Sequence, residues 1–142
     1  RKPRPAPAPI PMASFIACKT VSLSRYAGES TEPIRKELES AFPDVRIVEI
    51  DTGFDEDAFD PEYGSARGIH VNATVTDGFI YLPVFGMETD DSARQKIQAA
   101  TEKEVVPVQA GKVARMGGSV RCLGAQLKGE NARRLIEAAR VR

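Results

Sequence analysis

Two cysteines, a single histidine and one pair of adjacent glycines are the residues of this chain whose types could carry chemistry. Cys122 lies in "RMGGSVRCLGAQL", residues 115–127, shortly after Gly117 and Gly118. A thiolate is the strongest common protein nucleophile, and a fixed cation nearby favours it. Arg121 is adjacent, yet the stretch reads as a turn followed by a strand, and alternation on a strand turns neighbouring side chains to opposite faces. Arg121 therefore helps Cys122 only where that strand ends or bulges. Gly117 and Gly118 allow backbone conformations closed to other residues and let a ligand approach the main chain. Gly124 again removes bulk beside the cysteine. Together these residues predict a nucleophile at a strand end. A small buried cysteine after a turn is the competing explanation of the same pattern.

His70 is the only histidine, and with Cys18 and Cys122 it leaves too few soft ligands for a zinc site, so no metal is expected. Two cysteines far apart in sequence make no disulfide framework, which predicts a reducing, intracellular compartment. The chain has 142 residues, 42% of them apolar and 28% charged, the balance of one globular domain with a core of its own. Twenty basic residues against twenty acidic ones give no global attraction to nucleic acid or an anionic membrane, and neither partner is expected. No apolar run approaches the roughly 20 residues that span a bilayer, and there is no secretory signal. The first residue is Arg1 instead of Met, which predicts a processed chain or one piece of something longer.

The elements that must position Cys122 follow from the pattern. Residues 1–12, "RKPRPAPAPIPM", form a proline-rich arm, a stiff linker or a strap across a partner subunit. A first module is expected over 13–51. It holds a strand at 15–23, a helix capped by Thr31 with Pro33 in its first turn and Ile34, Leu38, Ala41 and Phe42 at helical spacing, and a strand at 45–50. Residues 52–68 read as an acidic loop, its carboxylates concentrated between Asp51 and Glu62, serving as a solvated insertion, a lid or a docking surface. The second module, 69–142, repeats the plan. Strands at 69–76 and 79–85 flank Asp77-Gly78 as a hairpin, Asp90 or Asp91 caps a helix carrying Ala93, Ile97 and Ala100, and 104–108 closes the unit. The helix-to-strand segments at 31–50 and 90–108 match at an offset of about 58 residues, the mark of an internal ββαβ repeat. The cysteine strand follows, then a helix over 129–142 with Ala132, Leu135, Ile136 and Ala139 turned inward. Residues 111–142 hold eight basic and two acidic residues, which would complement the acidic loop or an acidic partner.

"GGSVRCLGAQL" resembles the C-terminal motif of the guanidine-modifying enzymes: arginine and agmatine deiminases, dimethylarginine hydrolases, amidinotransferases and bacterial-type peptidylarginine deiminases. The stretches "GIHVNATVTDGFIYLPVFGMETDDSARQKI" and "EVVPVQAGKVARMGGSVRC" are similar in order as well, with an Asn-bearing strand, hairpin, P-x-F-G turn, acid-capped helix, strand, glycines and cysteine. "LPVFGMETDD" is most similar to the agmatine and bacterial-type peptidylarginine deiminases. "VRC" is closer to the arginine deiminases and amidinotransferases, since the former two usually carry His before the cysteine.

The resemblance implies an α/β fold that is a partial α/β-propeller, the pentein, with about two of its five ββαβ modules. It implies Cys122 as nucleophile, with Gly117, Gly118 and Asn72 as substrate-binding residues, Asn72 being the match to the family's Asn. The family's His-x-Asp or His-x-Glu does not occur. "HVN" is the nearest sequence, making His70 the candidate general acid. No cofactor is implied. Two modules cannot close a five-module ring, so another protein chain or segment is expected to complete the fold. The substrate would be a guanidino small molecule or a peptidyl arginine. The alternatives are a non-catalytic relic of this fold retained as a structural or interaction subunit, and an unrelated small α/β domain with a buried cysteine.

Overall fold

The β-rich run at 15–23, expected as one strand, is a hairpin. Strands β1 (Ala13–Ala17) and β2 (Thr20–Arg25) pair antiparallel, Ala17 opposite Thr20, because Lys19 adopts a left-handed backbone (φ 56°) and reverses the chain. The computed structural model describes residues 13–17, 19–25, 31–53 and 64–140. The proline-rich arm, Cys18 and residues 54–63 of the acidic loop lie outside the described residues.

Strand β2 is covered on both faces, so Val21 and Leu23 are buried on one side and Ser22 and Ser24 on the other. The Ser22 hydroxyl donates to the Ser14 carbonyl at 3.1 Å, which offsets the cost of its burial. Helix α1 (Glu32–Ala41) follows Thr31, carries Pro33 in its first turn and stops before Pro43. The Thr31 hydroxyl does not cap it; that group donates to Glu49 at 3.3 Å. Strand β3 (Arg46–Asp51) then returns parallel to β2, giving a sheet in the order β1-β2-β3.

The second half repeats this topology. Strand β4 (Thr74–Val75) is antiparallel to β5 (Phe79–Val84), and the turn at Asp77-Gly78 is closed by Thr76 N–H donating to the Phe79 carbonyl at 2.9 Å. Helix α2 (Thr89–Gln98) crosses over, and β6 (Glu104–Gln109) pairs parallel with β5 in a sheet of order β4-β5-β6. Strand, helix and strand begin 59, 57 and 58 residues after their counterparts in the first half. The fold is therefore α/β and built of two ββαβ modules.

Strand pairing begins later than the pattern predicts in the second module, at Thr74 instead of residue 69. Residues 66–72 instead spend their backbone groups on local turns: Ile69 N–H reaches the Ala66 carbonyl, His70 the Gly68 carbonyl and Asn72 the Ile69 carbonyl. Gly68 (φ 82°) makes that path available.

One core joins the modules. Ala93 and Ile97 of α2 bury against Ile80, Leu82 and Val105 of their own sheet and against Ile16 and Ile50 of the first. Above this seam Lys96 of α2 donates to Asp51 at the end of β3 at 2.7 Å, and Arg25 holds the same carboxylate. Lys96 and Arg25 together keep the Asp51 carboxyl below its ordinary value against the opposing effect of burial.

The chain after β6 differs most from the expectation. Residues 113–127 form no strand: a 3-10 helix (Val113–Met116) and a single-turn helix α3 (Val120–Leu123) are separated by Gly117 and Gly118. Helix α4 (Gly129–Arg140) is present, but Ala132 is only half-buried, while Leu135 is 59% and Ile136 51% exposed and Ala139 is exposed too. Its apolar side is not turned inward, because no described element reaches over it.

Candidate functional site

Cys122 is exposed on α3, in the helix's only turn. The path that brings it there is local. Gly117, with φ 87°, ends the 3-10 helix in the left-handed region, where its N–H donates to the Ala114 carbonyl at 3.2 Å. Ser119 is extended, and the turn then closes through Leu123 N–H to the Ser119 carbonyl at 3.1 Å. Gly118 makes room for the cysteine itself: a Cβ there would stand 3.2 Å from Cys122 Cβ. Successive side chains on a helix diverge by about 100°, so Arg121 does not face directly away from Cys122 as it would on a strand.

Asn72 meets this turn from the segment before β4. Its carbonyl accepts from Arg121 N–H at 3.1 Å. Its side-chain amide lies against the thiol, with Nδ2 donating to Cys122 Sγ at 3.1 Å and the thiol placed 3.3 Å from Oδ1. Asn72 is only 2% exposed. An amide fixed on that scale presents one donor and one acceptor to sulfur, so it can orient the thiol and donate to the thiolate. The structure thus brings Cys122, Asn72 and Gly118 together. Gly117 is one residue farther, shaping the approach instead of touching sulfur.

His70 stands apart from them. Its ring is fully buried and packs edge-on against Phe85 with centroids 5.2 Å apart. Nε2 lies 2.8 Å from Asp90 Oδ1, and an ionised carboxylate only accepts, so the ring donates from Nε2. Burial lowers the pKa of His70 more than Asp90 raises it, so the ring is neutral near pH 7. It makes no hydrogen bond to Cys122 or Asn72. The general-acid role expected for His70 does not fit this position, because its one donor is committed and water cannot reach it.

Asp90 is the residue whose role sequence reasoning misplaced. It lies within the first turn of α2, not ahead of it, and caps the preceding loop. Its Oδ2 accepts from Phe85, Gly86 and Met87 N–H at 3.0, 2.7 and 3.0 Å. Burial raises its carboxyl, but the bonds from His70 and these three amides outweigh that and hold it below its ordinary value. The result is a rigid post under the turn that carries Asn72. Ser119 was also missed. Its side chain is fully buried at the start of α3, and its hydroxyl has no hydrogen-bond partner.

Among the described residues no carboxylate, imidazole or metal-ligating cluster converges on Cys122. No helix among them is long and apolar enough to cross a membrane.

Compared with known proteins, the sequence of residues 57–127, half of the chain, matches the Porphyromonas-type peptidyl-arginine deiminase family. No curated protein sequence matches significantly. Among solved structures, one assigned as a peptidyl-arginine deiminase superposes with a TM-score of 0.67 at 17% identity, over 83% of this chain and 38% of the other. The agmatine deiminase of Enterococcus faecalis gives 0.64 at 16% identity, over 77% and 37%. A Cys-to-Ser variant of the C. jejuni agmatine deiminase with substrate bound gives 0.58 at 16% identity, over 78% and 34%. The chain spans less than two-fifths of the length of these relatives, and what it shares with them at this identity is the fold: part of a pentein.

Proposed function

We propose, for a chain that belongs to the Porphyromonas-type peptidyl-arginine deiminase family, that it is the nucleophile-bearing C-terminal portion of an enzyme hydrolysing the guanidinium group of arginine or an arginine derivative. The contact of the exposed Cys122 thiol with the buried Asn72 amide carries this reading. The substrate-bound Cys-to-Ser variant of the C. jejuni enzyme supports a cysteine in the nucleophile's role.

In the proposed reaction Sγ of the thiolate adds to the guanidinium carbon, forming a C–S bond. The tetrahedral adduct expels a protonated nitrogen as ammonia or amine, leaving a thiouronium on Cys122. Water adds to that carbon, the C–S bond breaks, and the ureido product leaves with the thiolate restored. Asn72 Nδ2 donates to the thiolate at the start and at the end. The glycines leave the main chain open for a planar cation. Acids to hold the guanidinium and a group to shuttle protons come, in this reading, from another segment or chain that completes the ring.

Chloroacetamidine, an electrophile whose amidinium resembles guanidinium, tests the proposal by mass spectrometry. Cys122 is expected to be labelled faster than Cys18, and Asn72→Ala to remove that advantage. Equal rates at the two cysteines would end the enzymatic reading. A second reading is favoured by the placement of the chain's one histidine, sealed against Asp90. On that view the chain is a non-catalytic, structural member of an assembly, and equal labelling is what it expects.

A further inference from the structure

Ser119 holds a polar group that the proposed reaction leaves idle. Its side chain is fully buried and its hydroxyl has no hydrogen-bond partner, an arrangement that costs stability. It precedes α3 with an extended backbone (φ −137°, ψ −151°), as a capping residue does, and Cys122 follows three positions later. At that spacing a Ser oxygen can accept from the N–H of the third residue, while an acceptor side chain on the third residue reaches back to the N–H of the Ser. Arg121 N–H is taken by the Asn72 carbonyl at 3.1 Å and Leu123 N–H by the Ser119 carbonyl at 3.1 Å, which leaves Cys122 N–H for the hydroxyl. Gly118 prepares the other half of the exchange. The Cys122 side chain lies back over it, where a Cβ would be 3.2 Å from Cys122 Cβ and 4.0 Å from Sγ, so the sulfur packs beside the residue joined to Ser119 N–H.

Resting on the reading of Cys122 as the nucleophile, we propose that Ser119 is its positioning residue: the two form a reciprocal capping box that is open around the thiol and closes around the thiolate. In the thiol form sulfur donates to Asn72 Oδ1 at 3.3 Å and accepts from Nδ2 at 3.1 Å, so it needs no further donor. Cys122 is exposed, and its proton leaves to water. Oδ1 then presents a lone pair to an anion. The thiolate keeps Nδ2 and takes Ser119 N–H. The Ser119 hydroxyl, turning about its Cα–Cβ bond, accepts from Cys122 N–H. Closure removes the cost of the unpaired hydroxyl, and the turn tightens as the nucleophile forms.

The test uses the full chain with Ser119→Ala, which deletes the hydroxyl and little else. At neutral pH its iodoacetamide rate at Cys122, referred to Cys18, is expected to fall about three- to tenfold, as the loss of a Ser cap would give. The ultraviolet absorbance of the thiolate, read as the difference from Cys122→Ser, should fall with it. Ser119→Thr keeps the hydroxyl and is expected to keep most of both. The urea midpoint of Ser119→Ala is expected to hold or rise, because a sealed, unpaired hydroxyl stabilises nothing in the resting form. Unchanged rate and absorbance in Ser119→Ala overturn the proposal. So does a midpoint that falls with the rate, since the cap would then be closed already around the thiol. Ser119→Thr losing as much as Ser119→Ala at an unchanged midpoint overturns it too. If Ser119→Ala slows iodoacetamide while chloroacetamidine labels Cys122 of the native chain no faster than Cys18, the deiminase reading falls and the box stands. If chloroacetamidine prefers Cys122 and Ser119→Ala changes nothing, the box falls and the deiminase reading stands.

Discussion

Asn72 joins the turn before β4 to α3, the helix that carries Cys122, by two contacts, one from its backbone and one from its side chain. Truncating it leaves the first and removes the second, so the two roles separate. Asn72→Ala is expected to lower stability by about 1–3 kcal/mol, since a buried amide and its partner are lost, and to slow alkylation of Cys122 several-fold while Cys18 is unchanged. Asn72→Asp should slow it further at neutral pH, because a carboxylate then faces the thiolate. Urea melts and peptide mapping read these two effects independently. Cys122 and Asn72 were each legible as candidates from the order of the family's motifs. Their meeting was not, because fifty residues and an entire strand–helix–strand unit separate them.

His70 and Asp90 make a different residue-scale prediction. The folded-state pKa of His70 lies below its ordinary 6.5. As the pH falls, the unfolded chain therefore takes up this proton first, and stability falls with it. The contribution of the neutral ring is complete above pH 6.5 and is lost as the pH drops through the folded value. A urea midpoint that declines between about pH 7.5 and about pH 5.5, and a flatter profile for His70→Gln, are the expected results. Asp90, also lowered, contributes in a separate window below the ordinary carboxylate value of 3.8. Sequence offered His70 as an acid because "HVN" is the nearest match to the His-x-Asp or His-x-Glu that the resemblance implies. Its burial depends on the turn at 66–72, which periodicity does not announce.

At the scale of elements, two glycines on either side of β4 behave oppositely. Gly68 has φ 82°, and a Cβ there would intrude on the Gly53 carbonyl. Gly78, in the hairpin turn, has no neighbour that a Cβ would meet. Gly68→Ala is expected to cost about 2–4 kcal/mol through strain and collision, and Gly78→Ala within about 1 kcal/mol, as thermal melts of the two variants would show. A large loss at Gly78 would mean that the turn at Asp77 uses a conformation other than the one seen. The hairpin at Asp77-Gly78 was readable because Asp-Gly is strong turn chemistry. The one at Lys19 was hidden: the flanking residues are strand formers, and no Gly, Pro, Asn or Asp marks the reversal. Likewise the strand expected around Cys122, within residues 115–127, reflects apolar and β-branched content at Val120 and its neighbours. What defeats it is Gly117, which lets the chain coil into turns before pairing can begin.

For the whole molecule, the internal repeat was legible in the sequence, since each ββαβ unit must bury one face of its sheet and the spacing of apolar residues records it in both copies. Where units meet, α2 of the second covers β3 of the first, with Ile97 and Ile50 in one core and Lys96 on Asp51 above them. That ion pair is more than a third exposed on both sides, so Lys96→Met should change stability by under about 1 kcal/mol. Ile97→Ala, at the seam, should cost about 2–5 kcal/mol.

Helix α4 is the opposite case. Its amphipathic sequence was legible, and turning Leu135 and Ile136 inward was the natural inference, but a helix face records only that something should cover it, not that the same chain does. Only Ala132 is even half-buried, so α4 contributes little area to this fold. Deleting residues 129–142 is therefore expected to shift the urea midpoint negligibly, and the amides of α4 to exchange far faster than those of β2 and β5 in the intact chain. Slow exchange in α4 at concentrations where the chain is monomeric, or collapse of the truncated protein, would show that α4 folds back over the modules and that the apolar face is not open.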